Sequence, residues 1–235
     1  AYVVFEDLDL GRFGNRVPQF SFEVYRRAQP KSGSTDPAAR IKGVALIPGT
    51  GEYALATTPV HFDLGPGINR SANVNSASGK TDFATSLEDL RAELDACKSV
   101  SLVVSWFGDN LKCGDCQLTP RVEKVEFDGI GMPWQVSGLT RSSARTVSQS
   151  DGRPVFGGTP TDQAVIEAIR AINEGGQEVM FYPFILMDIQ ADNGLGDPWW
   201  GGTDQPVMPW RGRITLSTSP GRLVRPIRQP LPRPR

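Results

Sequence analysis

The sequence predicts a mixed α/β chain of repeated strand–helix units, and three observations carry that reading. Apolar runs alternate with amphipathic helical segments. Each helical segment opens at a Thr-Asp pair. Long loops, rather than tight hairpins, follow the strand ends.

The elements follow in order. Tyr2–Phe5 and Phe20–Tyr25 read as strands, the second alternating with period two, and turn chemistry at Phe13–Pro18 separates them. Residues 29–40 (QPKSGSTDPAAR) are polar and rich in Pro, Gly and Ser, and read as a linker. Val44–Ile47 is a buried strand stopped by Pro48 and glycines. Thr81-Asp82 caps a helix from about Phe83 to Cys97, with Leu87, Leu90 and Leu94 on one face. Val100–Phe107 is apolar enough for a parallel strand covered on both faces. An excursion over 108–160 precedes a second helix, which starts at Thr161-Asp162 behind Pro160. It runs to about Glu174 with Val165, Ile166 and Ile169 inward, and Gly175-Gly176 stops it. Val179–Met187 is the next strand, and a Gly- and Trp-rich loop leads to a last one at 212–217. This leaves room for about three and a half strand–helix units, where a closed barrel needs eight and about 250 residues. Long loops after strand C-termini suit a barrel, and a doubly wound sheet stays open. An opening at Ala1 that enters an apolar run at once reads as a chain whose start lies upstream.

Charge narrows the function classes. The formal net charge is −1. The tail Arg222–Arg235 holds five Arg, four Pro and no acid, and without it 20 basic residues face 26 acidic ones. The rest of the chain is therefore mildly acidic, with no nucleic-acid surface. No apolar run is long enough for a membrane helix. The tail lacks amphipathic period and reads either as a disordered basic segment or as a shifted reading frame. Codons can be chosen for it that, in another frame, spell a Ser-Pro-Asp helix start.

Most motif-like strings reduce to ordinary structure. Gly49-Thr50-Gly51-Glu52 lacks the third glycine of a dinucleotide loop, and Gly79-Lys80-Thr81 has Val74 where a phosphate loop needs its leading Gly. No cofactor is implied. Cys113-Gly114-Asp115-Cys116 is a genuine CxxC pair, but only Cys97 and His61 remain to complete a zinc site, so a loop staple or free thiols is preferred. Acids near strand ends are the catalytic candidates: Asp109 after Phe107, Asp188 after Met187, and Glu52 after Ile47. Trp106, Trp199, Trp200 and Trp210, with Tyr182, supply aromatic surface that could stack on sugar rings. Paired carboxylates with aromatics outline a glycosidase; loop caps and packing aromatics are the plainer reading.

Longer strings carry a resemblance. Ala1–Leu8, Phe13–Val24, Ala45–Tyr53, Ser101–Asp109, Val136–Arg141, Asp151–Pro154, Tyr182–Asp188 and Pro209–Thr215 resemble the large tail-tip (host-specificity) proteins of gene transfer agents and related siphophages, with their TIM-barrel-like domain. The resemblance covers roughly residues 1–221. It implies a partial (β/α) TIM-like barrel at 41–221, preceded by the end of a β-rich tail hub at 1–28 and the linker at 29–40, with 222–235 foreign to it. It further implies a virion structural protein of the tail or baseplate, assembled in the bacterial cytoplasm. Its partners would be other tail proteins, further copies in a trimer, and cell-wall glycan. The barrel is similar to glycoside hydrolases and either cleaves or only binds such glycan. The resemblance supplies no catalytic residues, and the chain is expected to be a structural piece rather than a working enzyme.

Overall fold

The computed structural model describes residues 20, 22, 38–47, 49, 51–198, 201–208 and 210–211. The chain divides into two compact units, Ala1–Asp36 and Pro37–Arg235. In the first, the rings of Phe20 and Phe22 stack at 5.9 Å. The expected strands before residue 28, the strand at 212–217 and the tail lie outside the described residues.

In the second unit the chain runs β1 (Gly43–Leu46), β2 (His61–Asp63), β3 (Asn69–Ser71), α1 (Asp82–Glu93) and β4 (Ser99–Gly108). Eight short strands follow: β5 (Leu118–Thr119), β6 (Arg121–Val122), β7 (Gly129–Ile130), β8 (Gln135–Val136), β9 (Leu139–Thr140), β10 (Arg145–Thr146), β11 (Gln149–Ser150) and β12 (Arg153–Pro154). The run closes with α2 (Asp162–Glu174), β13 (Glu178–Met187) and β14 (Trp210–Arg211). The fold is mixed α/β, dominated by strands. No closed barrel forms among the described residues.

The main sheet has the order β1-β4-β13-β14, with β5 on the end of β4. β1, β4 and β13 are parallel, in register through Val44, Val100 and Val179; β14 is antiparallel to β13. Sequential parallel neighbours joined through helices follow from the β–α–β order, because a parallel pair needs a crossover. One face of the sheet carries Val44, Leu46, Val100, Leu102 and Val104. These form a single core with Phe83 and Leu87 of α1 and with Ala164, Ala168 and Ile172 of α2. The four-residue spacing of the α2 set places it on one helix face.

Several expectations need correcting. The strand expected as buried over Val44–Ile47 is Gly43–Leu46, with only Leu46 buried and Ile47 62% exposed. Of the residues expected inward on α2, Ile166 is exposed, and the buried face is Ala164, Ala168 and Ile172. α1 ends at Glu93, not near Cys97: Leu94 is the C-cap, and its N–H donates to the Leu90 carbonyl. The Lys98 N–H already donates to Lys42 O at 2.8 Å, so the chain must leave the helix to start β4 beside β1. β4 is also not covered on both faces throughout. Val100, Leu102 and Val104 are buried while Ser101 and Val103 are only half-buried; Phe107 and Gly108 are both buried at the C-terminal end.

Candidate functional site

The excursion between β4 and α2 returns over the strand ends and decides what the carboxylates there do. β6 is its central piece. Arg121 and Glu123 lie two residues apart and serve two different strand ends.

At the end of β13, Asp188 is buried, 4% exposed. Its Oδ2 accepts from Arg121 Nη1 at 2.8 Å and from the Ser148 N–H at 3.1 Å, and its Oδ1 from the Ser148 hydroxyl. Both members of the ion pair are desolvated, with side chains 2% and 5% exposed. The Arg121 guanidinium also lies over the Phe107 ring, 5.9 Å from its centroid. Burial lowers the pKa of Arg121, against the opposing pull of Asp188.

Beyond β1, Glu52 is buried just as deeply. Its Oε2 pairs with Arg141 Nη2 and its Oε1 accepts from Arg141 Nη1 at 3.1 Å, a bidentate fork of the kind that fixes both planes. Oε1 also accepts from the Glu123 N–H at 2.6 Å. Arg141 Nη1 reaches Lys124 O at 2.6 Å and Nη2 the Tyr53 hydroxyl at 3.0 Å. Its Nε sits 2.9 Å from Asp128 Oδ1 without hydrogen-bond alignment. The Tyr53 hydroxyl donates to Asp128 Oδ1 at 2.7 Å. Burial pushes the Glu52 carboxyl up, against Arg141 and the Glu123 N–H. Burial also works against the charge of Arg141, but Glu52, Tyr53 and Asp128 outweigh it and hold that pKa above its ordinary value. Tyr53 is raised by burial and by Asp128.

Gly158 makes this packing possible. A Cβ there would stand 2.8 Å from Glu52 Cγ and 2.9 Å from Arg121 O, so only glycine lets the segment before α2 pass. The neighbouring Thr159 N–H donates to Arg121 O, and the Thr161 N–H to Glu52 O. Thr161 is the N-cap residue of α2, but its hydroxyl makes no cap hydrogen bond and instead bonds β8 through Gln135 O and N.

Among the described residues, none of the other sequence candidates hydrogen-bonds to either network. Asp109 accepts from the Gln117 N–H at 2.8 Å and faces Arg145 at 3.7 Å, partly exposed. Trp106 is half-buried against the main core. Trp199 and Trp200 lie outside the described residues, and of Trp210 the backbone pairing with Met187 is described. Cys113 is exposed, Cys116 half-buried and Cys97 buried, all as free thiols. His61 is exposed on β2. Among the described residues no group of three His, Cys, Asp or Glu is placed to hold a metal, and no helix is long and apolar enough to cross a membrane.

Opposite the helices, the other sheet face lines an apolar groove of about 630 Å³. Ile47, Val103, Met180, Tyr182, Phe184 and Phe156 form much of it, and Tyr182 stacks on Phe184 at 6.4 Å. Met180 and Tyr182 are about half exposed.

Sequence reasoning found Glu52 and Asp188 but missed Arg121, Arg141 and Ser148. A buried carboxylate requires a partner, which would have pointed to the excursion's arginines. Four stand there (Arg121, Arg141, Arg145, Arg153), and nothing in their spacing tells the two buried ones from the two exposed ones.

No family model matches the sequence, and no curated protein matches it.

Proposed function

We propose that the chain is a structural segment of a phage-like tail-tip protein of the gene transfer agent kind, whose parallel strands form the first arc of a (β/α) barrel. The observation that carries the structural reading is the state of its two strand-end carboxylates. Asp188 and Glu52 each stand in a buried ion pair with an arginine. A general acid or base must be free to exchange a proton with a substrate within hydrogen-bond reach. Carboxylates whose oxygens are taken by Arg and by backbone N–H groups hold loops onto strand ends instead. Sequential parallel order, with one sheet face covered by the helices and the other open, is the arrangement that a barrel arc has before closure. The long strings that resemble those of tail-tip proteins supply the rest of the reading, including its place in the virion tail and its contact with other tail proteins.

A second reading, retention of cell-wall glycan without cleavage, draws on the aromatic groove, since Tyr182 and Phe184 offer ring faces to a sugar. Immunogold labelling of particles from a strain carrying an epitope-tagged copy tests the main proposal. Label at the tail end supports it; particles without label, and tagged protein in the soluble fraction alone, reject it. Pull-down on purified sacculi tests the second, with loss on Tyr182→Ala expected and unchanged retention refuting it.

A further inference from the structure

Next to the Glu52–Arg141 pair lies a polar cavity of about 480 Å³, a volume within the range of small-molecule sites. Four cations line it: Arg70 from β3, Lys124 after β6, Arg141, and Arg153 from β12. Two carboxylates line it as well, Glu52 and Glu123. Arg141 is already answered by Glu52 and Asp128. Glu123 is engaged at Oε1 by the Gly158 N–H at 3.1 Å.

The other three cations have no anionic partner among the described residues. No hydrogen bond or ion pair engages the side chain of Arg70, Lys124 or Arg153 among the described residues. Two of them, Arg70 and Lys124, are nevertheless positioned, while Arg153 is exposed at the rim on β12. Arg70 faces Phe62 across the β2–β3 pair, and its guanidinium lies 5.2 Å from the Phe62 centroid and 5.7 Å from that of Phe127. Lys124 Nζ lies 5.9 Å from the Phe127 centroid. Phe62 and Phe127 pack edge to face at 5.0 Å, so the platform under both cations is itself fixed. Cation–π contacts of this kind hold a charge in place without neutralising it. Like charges brought together on three separate elements repel, and an anion among them relieves that repulsion.

We infer that this cavity is a binding site for a compact dianion, a phosphate monoester or a dicarboxylate, held by Arg70, Lys124 and Arg153. The lining's excess of two positive charges matches two negative ones, and the forked guanidiniums of Arg70 and Arg153 suit planar or tetrahedral oxyanions. The inference is independent of the tail-tip reading.

Isothermal titration of the full chain with glycerol 3-phosphate and with succinate tests it, in chloride of matched ionic strength and with glycerol as the neutral control. One saturable dianion site per chain is expected. Arg70→Gln, Lys124→Gln and Arg153→Gln should each weaken it about tenfold, the worth of one charge-assisted hydrogen bond. Arg70→Lys should weaken it less. Tighter binding of the phosphate assigns the site to phosphate esters, and tighter binding of succinate assigns it to carboxylates. Should Arg70→Gln fail to fold, Lys124→Gln decides alone, since among the described residues that side chain makes no hydrogen bond or ion pair and its charge lies over the Phe127 ring. Absence of a saturable heat with either dianion overturns the inference. So does binding left untouched by the triple Gln variant with a parental circular dichroism spectrum.

Discussion

Replacing Arg121 by Met isolates what the pair at the end of β13 contributes. The methionine keeps an apolar stem of similar reach against Phe107 but removes the charge. Asp188 then stays 4% exposed and keeps only Ser148, through its N–H at 3.1 Å and its hydroxyl. Leaving one member of a buried ion pair uncompensated costs about 3–5 kcal/mol. Losing the contact of the guanidinium with Phe107 adds about 0.5–1 kcal/mol, partly returned by the methionine's own packing on the ring. With a urea m-value of about 2 kcal/mol/M, the unfolding midpoint should fall by about 1.5–2.5 M. The double variant Arg121→Met/Asp188→Leu should regain most of that loss, because a buried pair replaced by apolar groups of similar volume is often neutral. Equilibrium urea unfolding followed by tryptophan fluorescence gives the full cycle. A single variant that loses less than about 1 kcal/mol, or a double variant no better than the single, would refute the view that Arg121 and Asp188 act as one structural unit.

Glu167 clamps α2 to the Thr57–Thr58 loop: its Oε2 accepts from both N–H groups, at 2.9 and 3.0 Å. Burial alone would raise its pKa, but these donors and Gln163 outweigh that and hold it below the ordinary glutamate value of 4.5. A depressed folded-state pKa stabilises above the unfolded value and is lost as pH falls through the folded one. Stability should therefore drop as pH falls below about 4.5, and Glu167→Gln should flatten that limb in urea midpoints taken from pH 6 to 3; an unchanged limb would remove Glu167 from the account. Gly158→Ala should destabilise by about 1–3 kcal/mol through overpacking against Glu52 and Arg121 O, read as a lowered Tm; an unchanged Tm would show that the segment before α2 shifts freely. The apolar groove should make the isolated chain self-associate: light scattering should rise with concentration and fall for Met180→Lys/Tyr182→Lys, whereas a monodisperse monomer with a sharp reversible melt would contradict this.

The regular elements were legible because local signals agreed. Pro160 before α2 and Gly175-Gly176 after it bracket a helix whose observed bounds, Asp162–Glu174, match the expected ones. The apolar strands β4 and β13 were placed to within about a residue because their runs are long. α1 was drawn too long because Leu94 continues the helical stripe in sequence, while pairing of Lys98 with Lys42 decides where the helix stops. The excursion was opaque for a different reason. Its strands are two residues long, too short for any period to register, and their places are set by Arg121, Arg141 and Asp128 reaching distant partners. Position could nominate Glu52 and Asp188 as strand-end acids. Their chemistry rests on partners 89 and 67 residues away, which no local pattern encodes.

The central claim, that these carboxylates build rather than catalyse, is tested most directly by a peptidoglycan zymogram. On the proposed tail-tip reading, it would compare particles carrying the wild-type protein with particles carrying Asp188→Asn, each checked for normal assembly. The account predicts that the two are indistinguishable, with no clearing attributable to this protein. Clearing by the wild type that Asp188→Asn abolishes in normally assembled particles would contradict it and return Asp188 to the role of a catalytic acid.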